Sequence, residues 1–171
     1  MGPISLARLE LVHPVLALLT RILEVQLGQE IGVTQGFRPA KEQAALYAQG
    51  RQTLDQVNQL RVKVGWAPIT EAENVVVTAA APGYSWHEFG CAVDVVPENT
   101  MGVPDWNINH PVWQKLVKMG ESLGLRSGIS WKDEPHFQWT GIFPVTPNDE
   151  VRQLFAWGGT IKIWQFVQFK G

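Results

Sequence analysis

The first strong pattern of hydrophobic and polar positions has helical spacing. Apolar side chains three or four residues apart predict an amphipathic helix over residues 14–27. These apolar positions are Val15, Leu18, Leu19, Ile22 and Val25. A proline is tolerated in the first turn of a helix, so Pro14 fits its start, and Gly28 or Gly32 ends it.

Further along the chain, helical and alternating patterns follow one another. Periodicity and capping residues predict helices over residues 39–48, 53–62, 111–123 and 148–156. Strands are predicted over 31–37 and 90–96, in the β-branched run 75–78, and as two short strands within 125–139. Residues 161–169 fit either a helix or a strand. Alternation in strand 90–96 places Ala92, Asp94 and Val96 on one face.

These elements predict an α+β fold. The 171 residues are 45% hydrophobic and 18% charged, which is the range of one compact domain with a sizeable core. We expect a small antiparallel sheet with helices packed on one side. The whole chain, residues 1–171, is expected to be one domain. Its core covers about 10–140, and 146–171 form a C-terminal extension whose packing the sequence does not define.

Charge and composition narrow the choice of partner. A net charge of −2 and a pI near 6.1 leave no basic surplus for phosphates, so nucleic acid is not an expected partner. The apolar stretch 15–25 is interrupted by Thr20, Arg21 and Glu24 and is shorter than the ~20 residues of a membrane span. With a single cysteine, Cys91, and no legible signal peptide, we expect synthesis in the cytoplasm.

Two imidazoles and one carboxylate stand out as candidate metal ligands. His87 and Asp94 are separated by six intervening residues that include Gly90, and His136 follows in a second polar segment. Two nitrogens and one oxygen, with an open position for water, suit catalytic zinc. In the alternative interpretation, Asp94 accepts hydrogen bonds from Ser85 or from the backbone, and His87 is an ordinary loop residue.

Two motifs carry a resemblance to a known family. They are Ser85-x-His87-x-x-Gly90-x-Ala92-x-Asp94 and, some forty residues later, Asp133-x-x-His136-Phe137. The pattern resembles the zinc D,D-carboxypeptidases and L-alanyl-D-glutamate endopeptidases of peptidoglycan, a family that includes phage endolysins. An earlier block is similar as well: Gly36-Phe37-Arg38-Pro39, then Gln43, Leu46, Tyr47, Gly50 and Arg51.

The resemblance implies roles for individual residues. It places Zn²⁺ on His87, Asp94 and His136 and makes Asp133 the general base, with the adjacent Glu134 left open as a competitor. Arg38 matches an arginine that faces the substrate carbonyl, where it would stabilise an oxyanion or bind a substrate carboxylate. Ser85 would orient Asp94 or contact the substrate.

For other reactive or aromatic side chains, the sequence predicts roles less specifically. Trp86, Trp131 and Trp139 flank the ligands and would line either a substrate cleft or the core, whereas Trp157 and Trp164 would pack the last elements. His13 and His110 each precede a predicted helix and are expected to be cap or surface residues. Cys91 is expected to be a small buried residue, although pairing with His87 would make it a nucleophile.

The expected activity is hydrolysis of peptidoglycan peptide stems, as an L-alanyl-D-glutamate endopeptidase of the endolysin type. Alternatives are a D-alanyl-D-alanine carboxypeptidase, a zinc-containing wall-binding module without activity, and a cysteine peptidase using Cys91. We expect the protein to be a monomer and to bind the peptide stems of peptidoglycan. It is expected to reach the cell wall after release from the cytoplasm, as phage endolysins do.

Overall fold

The computed structural model describes residues 1–141 and 143–169. Within these residues the helices are α1 (Pro3–Leu9), α2 (Pro14–Leu27), α3 (Ala40–Ala48), α4 (Leu54–Lys63), α5 (Pro111–Ser122) and α6 (Asp149–Phe169). The strands are β1 (Ile31–Gln35), β2 (Ala92–Pro97), β3 (Arg126–Gly128) and β4 (Asp133–Gln138). Short 3₁₀ turns cover Glu71–Glu73, Trp86–Phe89 and Ile129–Trp131.

The four strands form one antiparallel sheet in the order β1-β2-β4-β3. In its centre, β2 and β4 pair so that Val93 lies opposite Phe137 and Asp94 opposite His136. Side chains alternate between the faces of a sheet, so these two pairs point to opposite sides. The predicted α+β fold with a small antiparallel sheet is confirmed.

One face of the sheet carries the main hydrophobic core. Val33, Val95 and Phe137 are buried there with side chains from α2 and α5, including Leu23 and Leu116. Burial of apolar area is the principal stabilising contribution to such a fold. The other face of the central pair bears the polar residues Asp94 and His136, because they alternate with Val93 and Phe137.

The helix predicted over residues 14–27 is confirmed, but its buried face was predicted wrongly. Its buried side chains are Leu16, Thr20, Leu23 and Leu27, whereas Leu18 and Val25 are 57% and 79% exposed. Apolar residues lie on both sides of this helix, so periodicity alone did not distinguish the two. Thr20 tolerates burial because its hydroxyl donates to the Leu16 carbonyl at 2.8 Å.

The β-branched run 75–78 does not form the predicted strand. Val75, Val76 and Val77 are each more than half exposed and pair with no strand among the described residues. The segment lies beside α3 instead of the sheet, since the Arg51 guanidinium donates to the Thr78 carbonyl and the Gln43 amide to the Ala80 carbonyl. Local β-propensity was not sufficient here, because the segment lies beside α3 and pairs with neither edge strand of the sheet, β1 or β3.

The C-terminal segment packs on the rest of the chain. The Asn148 side chain accepts from the Val151 N–H at 3.1 Å, which confirms the predicted cap. The helix then continues past a kink at Gly158 and Gly159, so the ambiguous residues 161–169 are helical. Its buried side chains join a second core cluster with Trp86, Phe89, Cys91 and Ala92: Val151, Ile163 and Val167.

The two late tryptophans differ. Trp164 packs on the second cluster, and its indole N–H donates to the Phe89 carbonyl at 2.8 Å, as expected for a packing residue. Trp157 is 72% exposed and contacts the Lys162 ammonium, so its predicted packing role is wrong. None of the helices in the described chain combines the length and the apolar character that a membrane crossing requires.

Candidate metal centre and cleft

Three elements bring the candidate ligands together. Asp94 on β2 and His136 on β4 are direct cross-strand partners and share the polar face of the sheet. His87 comes from the 3₁₀ turn before β2, which ends at Gly90 with φ 65°. Glycine adopts this backbone conformation readily, and a Cβ here would lie 2.9 Å from the Trp164 ring. The turn therefore places His87 over the start of the strand that carries Asp94.

The three donor atoms form a nearly equilateral triangle. His87 Nε2 lies 3.2 Å from Asp94 Oδ1 and 3.2 Å from His136 Nδ1, and His136 Nδ1 lies 3.4 Å from Asp94 Oδ1. Ligands at about 2.0–2.1 Å from a tetrahedral zinc ion are separated by roughly 3.3–3.4 Å. Asp94 Oδ1 is also buried without a correctly oriented hydrogen-bond donor in the described structure. The three residues thus fit a shared metal ion and could hold one.

A backbone carbonyl fixes the tautomer of His87. Its Nδ1 lies 2.9 Å from the Gly36 carbonyl oxygen, which can only accept a hydrogen bond. Nδ1 therefore carries the proton, and the lone pair of Nε2 points toward the other two ligands. Gly36 is needed in this position because a Cβ would lie 2.7 Å from the Arg8 carbonyl oxygen.

A side-chain amide fixes the tautomer of His136. The Gln138 amide nitrogen donates to the Val145 carbonyl at 3.1 Å, so the amide oxygen faces His136 Nε2 at 3.0 Å. His136 Nε2 must then donate, which leaves the lone pair on Nδ1. Val145 also accepts from the Trp86 indole at 2.9 Å, which holds the 143–147 segment in place. With a metal ion bound, both imidazoles would therefore coordinate it as neutral rings through these two nitrogens.

Burial and mutual contacts set the protonation of the three groups. Burial lowers the pKa of His87, which favours the neutral ring that a metal requires. Burial alone would lower the pKa of His136, but its contacts with Asp94 and Gln138 favour the protonated ring more strongly, so the pKa is raised. For Asp94, burial opposes ionisation, but the two imidazoles outweigh it and hold its pKa well below the usual range. A bound cation would replace the shared protons of this group.

Arg38 lies at the edge of this centre, as the motif predicts. Its guanidinium lies 3.7 Å from Asp94 Oδ2 and donates to Gln43 Oε1 at 2.9 Å, while Nε is buried without a partner among the described residues. Gln43 is itself fully buried and donates to the Ala80 carbonyl. Burial lowers the pKa of Arg38 from its usual high value, and nearby carboxylates oppose that shift. The cation is therefore held rigidly beside the ligands.

The structure distinguishes the two adjacent acids. Asp133 Oδ2 lies 3.9 Å from His136 Nδ1, and its side chain lines the same cleft. Ser127 pairs with Phe137, but the next residue, Gly128, pairs with Asp133, so β4 contains a bulge between these two pairs. The bulge changes the alternation of side chains along β4 and places Asp133 on the same side of the sheet as His136. Burial raises the pKa of Asp133, as suits a group that exchanges a proton. Glu134 does not line the cleft.

The ligands lie at the bottom of an open cleft of about 890 Å³. Its rim includes Val76, Val77, Tyr84, Lys132 and Trp131, and the ring centroid of Trp131 is 5.9 Å from that of His136. Trp86 contributes one edge but is only 2% exposed, and Trp139 is packed in the cores. Of the three tryptophans near the ligands, Trp131 is the one available to a substrate.

Ser85 lies on the wall of the cleft without a hydrogen bond to Asp94 in the described chain. Its backbone N–H donates to Glu88, a buried carboxylate that also accepts from the Gly83 N–H. Burial raises the pKa of Glu88, and these N–H groups oppose that shift. Glu88 thus closes the loop that carries Ser85, a role that the sequence interpretation missed.

His13, His110 and Cys91 lie away from the candidate metal ligands. His13 caps α2 by accepting from the Val15 N–H at 3.1 Å, and His110 precedes α5 at the surface. Cys91 is fully buried in the second core cluster, and burial raises the pKa of its thiol far above the usual value. A buried, protonated thiol is a poor nucleophile, which disfavours the cysteine peptidase alternative.

Comparison with known proteins agrees with the motifs. Residues 78–139 match a family model described as D-alanyl-D-alanine carboxypeptidase. A similar protein is the peptidoglycan L-alanyl-D-glutamate endopeptidase CwlK of Bacillus subtilis (strain 168), 30% identical over 121 residues, 65% of this chain. The match spans 61% of the length of that relative. The family resemblance predicted from the motifs is confirmed.

A solved structure has a similar fold. It is the L-Ala D-Glu endopeptidase ChiX of Serratia marcescens, with a TM-score of 0.50 and 22% identity, covering 81% of this chain and 87% of that one. At this level of identity the likeness supports the fold alone.

Proposed function

We propose that this chain, whose central segment matches the D-alanyl-D-alanine carboxypeptidase family, is a zinc-dependent endopeptidase that hydrolyses the L-alanyl-D-glutamate bond in peptidoglycan stems. The observation that carries the proposal is the triangle of donor atoms from His87, Asp94 and His136 at the base of an open cleft. The choice of bond follows the activity named for CwlK. We assign residues 1–171 to one peptidase domain.

The ligand set implies the chemistry of the centre. Zinc held by His87 Nε2, Asp94 Oδ1 and His136 Nδ1 would supply Lewis-acid chemistry, polarising a carbonyl group and lowering the pKa of water toward ~7. Gly36 and Gln138 keep both imidazoles in the tautomers that this requires.

The chain's own side chains handle the proton and the developing charge. Asp133 Oδ2 lies beside the ligands and would accept a proton from the attacking water, then return it to the leaving amine. Arg38, anchored by Gln43, would stabilise the oxyanion that forms on the scissile carbonyl. Because Asp94 and Gln43 already hold the guanidinium, little reorganisation is needed when that charge appears.

Digestion of purified peptidoglycan tests the proposal. Mass spectrometry of the products is expected to show stems that begin with a new N-terminal glutamate. A chelator should abolish the activity, and added Zn²⁺ should restore it. The matched variants His87→Ala and His110→Ala compare a ligand with a surface histidine, and only His87→Ala should abolish turnover.

The second candidate is a D-alanyl-D-alanine carboxypeptidase, because the matching family model carries that description. The same digest separates the two, since free D-alanine would be released instead of a stem with an N-terminal glutamate. If the protein binds zinc but releases no new amine from peptidoglycan, both peptidase candidates are wrong and the chain is a wall-binding module. Activity that survives the chelator would contradict the zinc mechanism.

A further inference from the structure

Lys132 has a backbone conformation that lysine rarely adopts. Among residues 1–141 and 143–169 it is the one residue other than glycine with positive φ, at 62°. It ends the turn Ile129–Trp131, where its N–H donates to the Ile129 carbonyl at 3.2 Å. Glycine and asparagine are favoured in this left-handed region, whereas other L-residues are disfavoured. The backbone alone therefore gives no reason for a lysine here.

Among the described residues, Lys132 is also the cleft cation that lacks a carboxylate partner. The charged residues lining the cleft are Arg38, Asp94, Lys132 and Asp133. Arg38 is held by Asp94 and Gln43, as described above. Lys132 is exposed and forms no salt bridge with any residue that the structure describes. Its ammonium is thus available to an anionic ligand.

The substrate of the proposed activity carries such an anion. Glutamic acid has two carboxyl groups, so whichever of them continues the stem, the other remains a free carboxylate on the residue whose nitrogen belongs to the scissile amide. In the cleft this carboxylate would lie near Asp133, which repels it unless a cation compensates. Lys132 directly precedes Asp133 in the chain, on the side of the cleft where the leaving group must accept its proton.

We propose that Lys132 is a specificity-determining residue whose ammonium binds the free carboxylate of the glutamate that follows the cleaved bond. This inference rests on the proposed endopeptidase function. A hydrogen-bonded charge pair of this kind contributes more than a neutral hydrogen bond and distinguishes a carboxylate from a carboxamide. The enzyme should therefore prefer stems with free glutamate over stems with an amidated residue at that position.

Two synthetic stem peptides test this inference, one with the free carboxylate and one with the corresponding carboxamide. On the carboxylate peptide, Lys132→Gln should lower kcat/KM about tenfold or more, mainly by raising KM. On the carboxamide peptide it should change kcat/KM less than about twofold. Lys132→Arg should retain most of the preference. The matched control, Lys118→Gln on the exposed side of α5, should cleave both peptides like the wild type.

Each outcome of this comparison either supports or overturns the proposed role of Lys132. An equal loss on both peptides, or no loss on either, would overturn the role of Lys132. Thermal unfolding of each variant shows whether a loss of activity reflects a loss of folded protein. If the wild type cleaves neither peptide, the proposed function itself is overturned, and this inference with it. If the wild type cleaves both and only Lys132→Gln removes the difference between them, the inference is supported.

Discussion

Gln138 Oε1 lies 3.0 Å from His136 Nε2, on the side of the imidazole opposite the metal-facing nitrogen. Both residues project from the same face of β4, two positions apart, and Gln138 is buried. Its amide nitrogen donates to Val145, a carbonyl shared with Trp86. The lone pair on His136 Nδ1, which would face a bound zinc ion, is thus fixed by a chain of hydrogen bonds that reaches the segment before α6.

We expect Gln138→Leu to weaken zinc binding. Without the Gln138 amide oxygen as acceptor, the His136 ring can rotate or change tautomer. Removing the hydrogen-bond partner of a metal-binding histidine typically weakens metal affinity about 10- to 100-fold. Competition with a chromophoric chelator measures the dissociation constant. Gln114→Leu, on the exposed side of α5, is the matched control and should bind zinc like the wild type. Equal affinity in Gln138→Leu would show that the ring needs no such partner.

The extent to which the sequence predicted this site differs from residue to residue. His87, Asp94 and His136 were identifiable because their spacing and chemistry form a motif. Gln138 carries a weaker signal, since only its position two residues after a ligand in a strand places it on the same face. The Gly36 carbonyl gives no sequence signal of its own, because any residue has one, and only the close approach to Arg8 explains the glycine.

The fold was predictable to a similar degree. Strand and helix order followed from periodicity, but the orientation of α2 did not, since Leu18 and Val25 are as apolar as the buried Leu16 and Leu23. The valine run 75–78 illustrates a different error, because a strand requires a neighbouring strand to pair with as well as β-propensity, and this run lies beside α3. Local sequence patterns do not show which elements pack together. The position of α6, for example, depends on contacts of its side chains with Trp86 and Phe89.

Asp133→Asn and Glu134→Gln should differ sharply in turnover. Asp133 lines the cleft beside His136, whereas Glu134 does not, so only the first change removes a group that can exchange the proton. General acid-base catalysis contributes about 10²- to 10⁴-fold, and kcat of Asp133→Asn should fall by that order. Steady-state kinetics on a stem peptide with a saturated zinc site measures it. If Glu134→Gln loses activity and Asp133→Asn does not, the assignment must be reversed.

Arg38→Lys should lower kcat more than it raises KM. A lysine keeps the charge but cannot contact Gln43 and Asp94 while also presenting a planar donor to the oxyanion. Loss of one such donor costs about 10²- to 10³-fold in kcat. Arg61→Lys offers a comparison, because Arg61 also donates to a glutamine, Gln49, but lies outside the cleft lining. A variant Arg38→Lys with normal kcat would remove Arg38 from the proposed mechanism.

His13 should make the stability of the protein depend on pH. The fully buried ring accepts from the Val15 N–H through Nδ1, and its Nε2 lies 3.3 Å from the Trp164 carbonyl, which together require the neutral form. Burial lowers the pKa of His13, although the Trp164 carbonyl opposes that shift. The unfolded chain therefore binds a proton more readily than the folded one. The free energy of unfolding contributed by this residue is complete above the unfolded pKa of about 6.5 and decreases as the pH falls below it.

Urea unfolding of the metal-free protein between about pH 7.5 and 5 measures this dependence, with His13→Asn as the reference. Asparagine can still cap α2 but does not titrate, so the variant should lose less stability over this interval than the wild type. His87 and His136 titrate in both proteins, and their contribution cancels in the difference between the two curves. Parallel curves would mean that His13 can be protonated without losing its cap. In that case the contact between α2 and Trp164 would rest on packing, since the two rings lie edge to face with centroids 5.6 Å apart.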